Sequence, residues 1–432
     1  MKIGFVSLGC SKNLVDTEMF IGLFKKENHE IVTNTEKAEV IVINTCGFIE
    51  AAKEEAINTI LEMAEYKIHG KCKYLIVMGC LAQRYKTELE ASLPEVDMFL
   101  SIDEYSEAWN KISDLLKIKN SGNTLDYLDR IISTGNTTAY LKIAEGCSNN
   151  CTYCAIPMIR GPYISRKMED VLEEAKLLES KGIKELIVIA QDTTRYGEDL
   201  YGESKLAELL DKLCKLDFKW IRFLYAYPEA ITDELIQVVK DNDKICNYFD
   251  IPLQHYSDNI LRKMNRRCDG KSIEKLLNKI RKEIPDAILR TSLIVGFPTE
   301  TSEDFEKLYE FVGRAKFEKL GVFKYSKEDG TPASKIKEQI HFKTKEARLN
   351  KIMTLEQEIS KIKLEEKIGN EYETLIEGIT SDGKYYIGRS YMDIPNEDGV
   401  IFVKKEKENL LGKFVNCKIT DVIEYDLIGE LV

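Results

Sequence analysis

Three cysteines set as Cys147-x-x-x-Cys151-x-x-Cys154, directly after an apolar run, constrain this chain more than any other feature. Thiolates at gaps of four and three converge on one small inorganic centre when a loop carries them. They supply three ligands, whereas a closed structural metal site takes four. A cubane iron–sulfur cluster held by three cysteines leaves one iron open, and an open iron binds and activates a substrate. The alternatives are a zinc knuckle or three unrelated core thiols. A knuckle pairs Cys-x-x-Cys units and brings a fourth Cys or His close by, and none follows within this loop.

Composition bounds the rest. At 432 residues the chain should hold two or three domains, on a prior of roughly 150 residues each. With 44% hydrophobic and 31% charged residues it reads as an ordinary protein with sizeable cores. No apolar run approaches the roughly 20 residues that span a bilayer, and Met1-Lys2-Ile3-Gly4 enters a strand-like segment without a basic-then-apolar leader. A cytoplasmic location with no membrane partner is therefore expected. Eleven cysteines in such a chain point to metal or redox chemistry over a disulfide framework. The net charge of −11 is unlike the basic footprint of a tight nucleic-acid binder and favours a basic or neutral partner.

The expected class is α/β. Over residues 1–125, strand-like runs at 3–8, 40–44 and 74–78 alternate with helical patterns at 16–26 and 51–65. Ala52, Ala56, Ile60 and Ala64 recur every four residues on one face. This alternation implies a parallel sheet covered by helices. Over 134–340 there are six strand candidates, at 140–144, 185–190, 220–225, 248–251, 288–295 and 320–325. Helical patterns at 171–180, 206–215, 233–239, 273–282 and 304–313 separate them. That predicts a (β/α)6 partial barrel with its site at the carboxyl ends of the strands, the end at which the cysteine loop leaves the first strand. A linking helix is expected over 345–367, where Ile352, Leu355, Ile359 and Ile362 form a stripe. Over 368–432, short runs at 372–377, 384–389, 400–403, 414–423 and 429–432, with a turn at Asp382-Gly383, predict a small closed β-barrel of the OB type.

The cysteines of the first segment are read from strand ends. Cys10, Cys46 and Cys80 each close an apolar run, at the edge where doubly wound sheets assemble their sites. Gly9, Gly47 and Gly79 flank them and allow backbone to approach a bulky ligand. Small apolar core residues are the alternative; three repeats of strand, turn and cysteine favour a second three-thiolate cluster with an open iron. Cys72 precedes its strand and reads as a structural or surface thiol. Cys214, Cys246, Cys268 and Cys417 show no paired spacing and read as packing or surface thiols.

With Tyr153 before the third cysteine, the loop is similar to the Cys-x-x-x-Cys-x-aromatic-Cys pattern of the radical S-adenosylmethionine (SAM) superfamily. Three further stretches, Leu8-Gly9-Cys10-Ser11-Lys12-Asn13, Asn44-Thr45-Cys46-Gly47-Phe48 and Gly79-Cys80-Leu81-Ala82-Gln83-Arg84, resemble the amino-terminal cluster domain of the methylthiotransferases. Ile294-Val295-Gly296-Phe297-Pro298-Thr299-Glu300-Thr301 resembles their adenine-binding strand. Thr299 stands where that family has Gly, and Ser11 where it has Pro. Residues 190–202, 223–228 and 250–255 resemble the branch that modifies an aspartate of the small-subunit ribosomal protein S-twelve, as opposed to the branch acting on tRNA.

The resemblance implies two 4Fe–4S clusters, one on Cys147, Cys151 and Cys154 and an auxiliary one on Cys10, Cys46 and Cys80. The open iron of the first takes the amino and carboxylate groups of SAM; an electron donor drives cleavage, and the resulting radical abstracts a β-hydrogen from the substrate aspartate. The second delivers the methylthio group. Tyr153, Ile294, Val295 and Gly296 are the implied adenine contacts. Gln191 and Gln254 either hydrogen-bond SAM or cap strand ends. His255 is either catalytic or a structural, hydrogen-bonded histidine. Arg266 and Arg267 offer a carboxylate fork or a solvated basic turn. The terminal barrel, called TRAM in this family, carries thirteen acidic against seven basic residues over 371–432. That balance repels phosphates and attracts a basic ribosomal protein, so no direct tRNA substrate is expected.

Overall fold

Residues Lys2–Ser7 (β1), Glu30–Val32 (β2), Val40–Thr45 (β3), Tyr74–Gly79 (β4) and Met98–Leu100 (β5) run parallel in one sheet, in the order 2-1-3-4-5. β3 is central and buried at every position, which is why it reads as an unbroken apolar run. Its alternate side chains serve two cores. Ile41 and Ile43 join Leu75 and Val77 under helices α2 (Glu50–His69) and α3 (Cys80–Ser92). Val40 and Val42 join Ile76 and Met78 under α1 (Ser11–Lys26) and α4 (Ala108–Leu116). The chain leaves β1 toward β2 and leaves β3 toward β4, so a topological switch point lies between β1 and β3.

Four of these elements, β2, α3, β5 and α4, escape a periodicity reading. β2 and β5 are only three residues long. α3 starts at Cys80 with no loop after β4, because Gly79 turns the chain at φ +98°. α1 starts at Ser11, earlier than expected: Cys10 is its extended N-cap, and the polar Lys12, Asn13 and Asp16 are buried in its first turns. Together with β6 (Thr138–Lys142), β7 (Ala144–Glu145), α5 (Ile156–Arg160), β8 (Ile164–Ser165) and α6 (Met168–Ser180), these elements belong to one compact unit of Met1–Lys181, Ile189–Gln191 and Ser326–Ser334. The computed structural model describes residues 1–405 and 408–432.

The second unit comprises Gly182–Val188, Asp192–Tyr325 and Lys335–Val432. It alternates β9 (Glu185–Ile189, all but its last residue), α7 (Glu198–Tyr201), α8 (Leu206–Leu213), β10 (Trp220–Phe223), α9 (Asp233–Asp241), β11 (Tyr248–Asp250), α10 (Asp258–Lys263), α11 (Gly270–Glu283), β12 (Ile288–Val295), α12 (Ser302–Ala315) and β13 (Lys319–Lys324). β9 pairs parallel with β10, and β11, β12 and β13 form a parallel sheet. Between β10 and β11 the ladder thins to an isolated bridge of Ile221 with Ile245 and a bond from Ala226 N to Asp250 O at 2.9 Å, so regular strand pairing is interrupted there. Helix α13 (Phe342–Glu365) leads to β14 (Glu371–Ile379), β15 (Tyr385–Arg389), β16 (Ile401–Lys404), β17 (Phe414–Ile423) and β18 (Asp426–Leu431). These five close into a barrel in the order 14-15-16-18-17. No helix among the described residues is long and apolar enough to cross a membrane.

One buried carboxylate anchors the barrel. Glu185 on β9 accepts from Arg222 Nε at 2.6 Å and from Arg389 Nη2 at 2.5 Å, and Arg389 also reaches Glu377 at 2.7 Å. Burial works against ionisation of Glu185, but Arg389 and Arg222 outweigh it and hold the carboxyl at about 2. A buried ion pair of this kind persists only when its geometry is good on both sides.

Glu356 on α13 lacks that compensation. It is 3% exposed, and its Oε2 has no hydrogen-bond partner among the described residues. Burial, with Glu318 nearby, pushes its carboxyl up to about 8. The unfolded chain releases this proton above about 4.5 while the folded protein keeps it, so rising pH favours unfolding across that window. Thermal melts of E356Q are expected to lose less stability than the parent between pH 4.5 and 8, by on the order of a few kcal/mol. Parallel melting curves for the two proteins across that range would contradict this assignment.

Candidate functional site

The ends of β1, β3 and β4 are drawn together by glycines that admit no side chain. A Cβ on Gly9, at φ +82°, would sit 2.8 Å from Cys46 Cβ, and one on Gly47 would sit 2.7 Å from Leu81 Cα. One on Gly79 would meet Asn44 Oδ1 at 2.2 Å. Asn13 then ties the three turns. Its Nδ2 donates to Leu8 O and Thr45 O, both at 3.1 Å, and its Oδ1 accepts from the Cys80 thiol at 3.5 Å. Cys10, Cys46 and Cys80 therefore stand at one site beside the switch point. Cys80 is buried, Cys46 half-buried and Cys10 exposed.

The three thiols feel one another. Burial pushes Cys46 up to about 11, with the Cys80 and Cys10 charges adding to it, and burial also raises Cys80. Burial opposes ionisation of Cys10 too, but the charges of Lys12 and Arg160 and the backbone N–H groups of Asn13 and Lys12 bring it below its ordinary value. Among the described residues no three His, Cys, Asp or Glu side chains are gathered tightly enough for a single ion. A lone ion bound by thiolates at about 2.3 Å would need sulfurs within about 4 Å of each other. A cubane spreads its cysteines wider. Three converging thiols, turns built of glycine, and the buried Ser11 Oγ and Tyr105 hydroxyl, which have no hydrogen-bond partner among the described residues, fit such a group.

The Cys147 loop is pinched at its base. β7 and β8 pair antiparallel, Cys147 N donates to Gly161 O at 3.1 Å, and a Cβ on Gly146, at φ +74°, would lie 2.0 Å from Pro162 O. Within the loop Cys154 N donates to Cys151 O at 3.1 Å, placing those two cysteines on one turn, and Ala333 N donates to Thr152 O at 2.9 Å. Cys147 and Cys151 are buried; Cys154 and Tyr153 are half-buried. The loop continues into α5, whose Ala155 and Ile159 pack against Cys80. The supports of the two cysteine sets are thus in contact within one unit.

Between them lies a buried ionic network that sequence reading missed. Lys142 on β6 and Arg160 on α5 both bond Asp16, the latter at 2.8 Å, and both bond Glu145 Oε2, at 2.9 and 3.0 Å. Gln191 Nε2 donates to Glu145 Oε1 at 2.7 Å. Glu145 keeps 29% side-chain exposure. Burial disfavours its charge, yet Lys142 and Arg160 hold it well below the usual carboxylate range. The one available signal was charge inside apolar runs: Lys142 in Leu141-Lys142-Ile143, and Asp16 in Val15-Asp16.

The remaining expected SAM contacts lie in the second unit. Gln254 is half-buried at φ +69° and bridges β12: its N donates to Ser292 O at 2.8 Å and its O accepts from Ile294 N at 2.7 Å. Ile294 is half-buried, whereas Val295 is fully buried, so Val295 can offer a ligand backbone alone. Gly296 adopts φ +71°, and a Cβ there would meet Lys345 Cγ at 2.3 Å. Thr299, which replaces an expected glycine, adopts φ +70°. That is the left-handed region a β-branched residue rarely enters, and Lys263 Nζ donates to its hydroxyl at 2.6 Å. His255 is buried: its Nδ1 accepts from Ser257 N at 3.0 Å, its Nε2 has no hydrogen-bond partner among the described residues, and burial pushes it down to about 3. Arg266 departs from a solvated turn: it is buried over the Tyr227 ring and donates to Pro252 O, while Arg267 is exposed. Cys72, Cys246 and Cys417 are buried and Cys214 and Cys268 half-buried.

Comparison with known proteins adds an independent line. The uncharacterized protein family UPF0004 matches residues 2–101, the radical SAM superfamily residues 141–312 and the TRAM domain residues 368–432. The chain is 63% identical to the ribosomal protein uS12 methylthiotransferase RimO of Alkaliphilus oremlandii, over 100% of this chain and 99% of that protein. It is 50% identical to the RimO of Acetivibrio thermocellus, over 100% and 98%. Among solved structures it is similar in fold to the radical SAM methyltransferase TsrM of Kitasatospora setae, with TM-score 0.57, 11% identity and coverage of 77% and 73%. The cobalamin-dependent radical enzyme OxsB is similar in fold too, with TM-score 0.53, 13% identity and coverage of 82% and 56%.

A side chain at Gly47 must separate the Cys46 turn from α3. G47A is therefore expected to lose roughly half of the iron bound by the reconstituted parent, leaving the share of the Cys147 loop. Iron analysis on the folded variant checks this, and an undiminished iron content would show that close approach of these turns is not required.

Proposed function

The chain belongs to the family of ribosomal protein uS12 methylthiotransferases, and on that premise we propose how its own residues divide the work. Cys147, Cys151 and Cys154 hold one 4Fe–4S cluster, and Cys10, Cys46 and Cys80 hold the second. When bound, the clusters and SAM supply reductive cleavage of a sulfonium and a methylthio group for transfer. The protein modifies uS12, replacing a β-hydrogen of an aspartate with that group. The observation that carries this reading is the meeting of two three-cysteine sets in one unit, through the packing of Ala155 and Ile159 on Cys80.

The chain's residues bind, orient and exclude. Gly9, Gly47 and Gly79 let backbone close around one group, and the pinched base of the Cys147 loop presents the other with Cys154 outermost. Tyr153 in the first unit is an adenine contact in this reading, as are Ile294 and the backbone of Val295 and Gly296 in the second. Gln191 and Gln254 hydrogen-bond SAM; Gln191 is oriented by Glu145, and the left-handed backbone of Gln254 is held from both sides by β12. Such strain persists where surrounding structure fixes it.

The terminal barrel recruits the substrate. Arg389 is spent on Glu185 and Glu377 in the interior, so it adds no positive charge to the surface. Glu371, Asp382, Glu397, Glu408, Asp421, Glu424 and Glu430 are exposed. An acidic excess of this kind steers a basic ribosomal protein and repels phosphate. Three functional parts, residues 1–125, 134–340 and 368–432 joined by the helix of 345–367, an unidentified electron donor and a cytoplasmic location complete the reading.

The test is anaerobic incubation of reconstituted enzyme with SAM, reductant, and either uS12 or tRNA. Mass spectrometry is expected to find a methylthio group on an aspartate of uS12 and none on tRNA. Replacing Cys10, Cys46 and Cys80 by alanine should abolish transfer while SAM cleavage continues; replacing Cys147, Cys151 and Cys154 should abolish both. Modified tRNA beside unmodified uS12 would overturn the assignment.

A further inference from the structure

Arg160 is carried by the loop of one cysteine set and touches a cysteine of the other. α5 follows directly from Cys154, and Arg160 at its end donates through Nη2 to Cys80 Sγ at 3.6 Å and to Asn13 Oδ1. Its other terminal nitrogen, Nη1, is held by Asp16 at 2.8 Å and Glu145 at 3.0 Å. The side chain is 2% exposed. Asp16 and Glu145, shared with Lys142, fix the plane of the guanidinium, so both ends of the fork are determined and the Nη2 edge faces the thiol. The Tyr105 hydroxyl, which feels the charges of Asp16, Arg160 and Cys80, is buried there without a partner among the described residues.

We propose that Arg160 is a positioning residue that hydrogen-bonds the Cys80 sulfur and sets the reduction potential of the group held by Cys10, Cys46 and Cys80. The proposal rests on the assignment of that group under Proposed function. Hydrogen bonds to ligand sulfur and nearby positive charge are principal determinants of an iron–sulfur potential. Reduction adds negative charge to the group, and a buried cation at this distance from a ligand sulfur stabilises the more negative state. Two carboxylates face two cations here, so the guanidinium is locally neutralised. Its effect on Cys80 is then directional and depends on the N–H edge as well as on the charge. A purely structural ion pair would need only Asp16 and Glu145 and would leave the sulfur unaffected.

The experiment uses anaerobically reconstituted holoenzyme, parent, R160K and R160Q, in a potentiometric titration followed by electron paramagnetic resonance. The same titration on protein with Cys147, Cys151 and Cys154 replaced by alanine assigns the signal. The group on Cys10, Cys46 and Cys80 is expected to shift to lower potential in R160Q, with R160K between R160Q and the parent and the iron content retained. Iron lost from this set in R160Q and recovered in R160K would equally support the proposal. An unchanged midpoint in R160Q with full iron would overturn it, as would loss of iron in both variants, which marks a structural role alone. If the alanine-substituted parent with Arg160 intact binds no iron, the assignment of Cys10, Cys46 and Cys80 itself fails; that result is distinct from an unmoved midpoint.

Discussion

Two cations and two carboxylates buried between the cysteine sets are the constraint on which this arrangement depends. Lys142 comes from the strand that leads into the Cys147 loop, Arg160 from the helix that leaves it, and Asp16 from the helix capped by Cys10. Each ion costs several kcal/mol to desolvate, and the cost is offset only when all partners are in register. The network therefore fixes the loop against the sheet end, and shifting any one element strands a charge in the interior. Apolar packing of Ala155 and Ile159 on Cys80 is non-directional and would tolerate sliding; the ionic network would not.

Rigidity is supplied redundantly, by glycines that let three turns interlock, by Asn13 bonding the ends of β1 and β3, and by the ionic network beyond them. A similar device recurs in the second unit, where Glu185 is clasped by Arg222 from β10 and Arg389 from the barrel. There the buried charge fixes the barrel to its neighbouring strands.

Much of this was legible in the sequence, for physical reasons that also explain the rest. A parallel strand buried on both faces gives a continuous apolar run, so 40–44 is legible nearly to the residue, and local ligand spacing marks Cys147, Cys151 and Cys154. Cys10, Cys46 and Cys80 were found from strand ends, since sheet topology brings together what sequence separates. The start of α1 was hidden because Asn13 and Asp16 look like solvent-facing residues and are instead buried by partners distant in sequence. The part of the network made by Asp16 is hidden for the same reason: it meets Lys142 and Arg160 across 126 and 144 residues, and no local pattern announces such a pairing. Thr299 shows the opposite case. The chain keeps a backbone shape suited to glycine while carrying a β-branched residue, so the resemblance located the turn correctly and the strain appeared only in three dimensions.

The most direct measurement is iron and sulfide content with Mössbauer spectroscopy on three proteins: the parent, one lacking the Cys10, Cys46 and Cys80 thiols, and one lacking those of Cys147, Cys151 and Cys154. The account predicts about eight irons per chain in the parent and about four in each variant, with the two variant spectra summing to that of the parent. Loss of all iron when either set is removed, in proteins that remain folded, would mean that the six cysteines serve one shared group and would contradict the account.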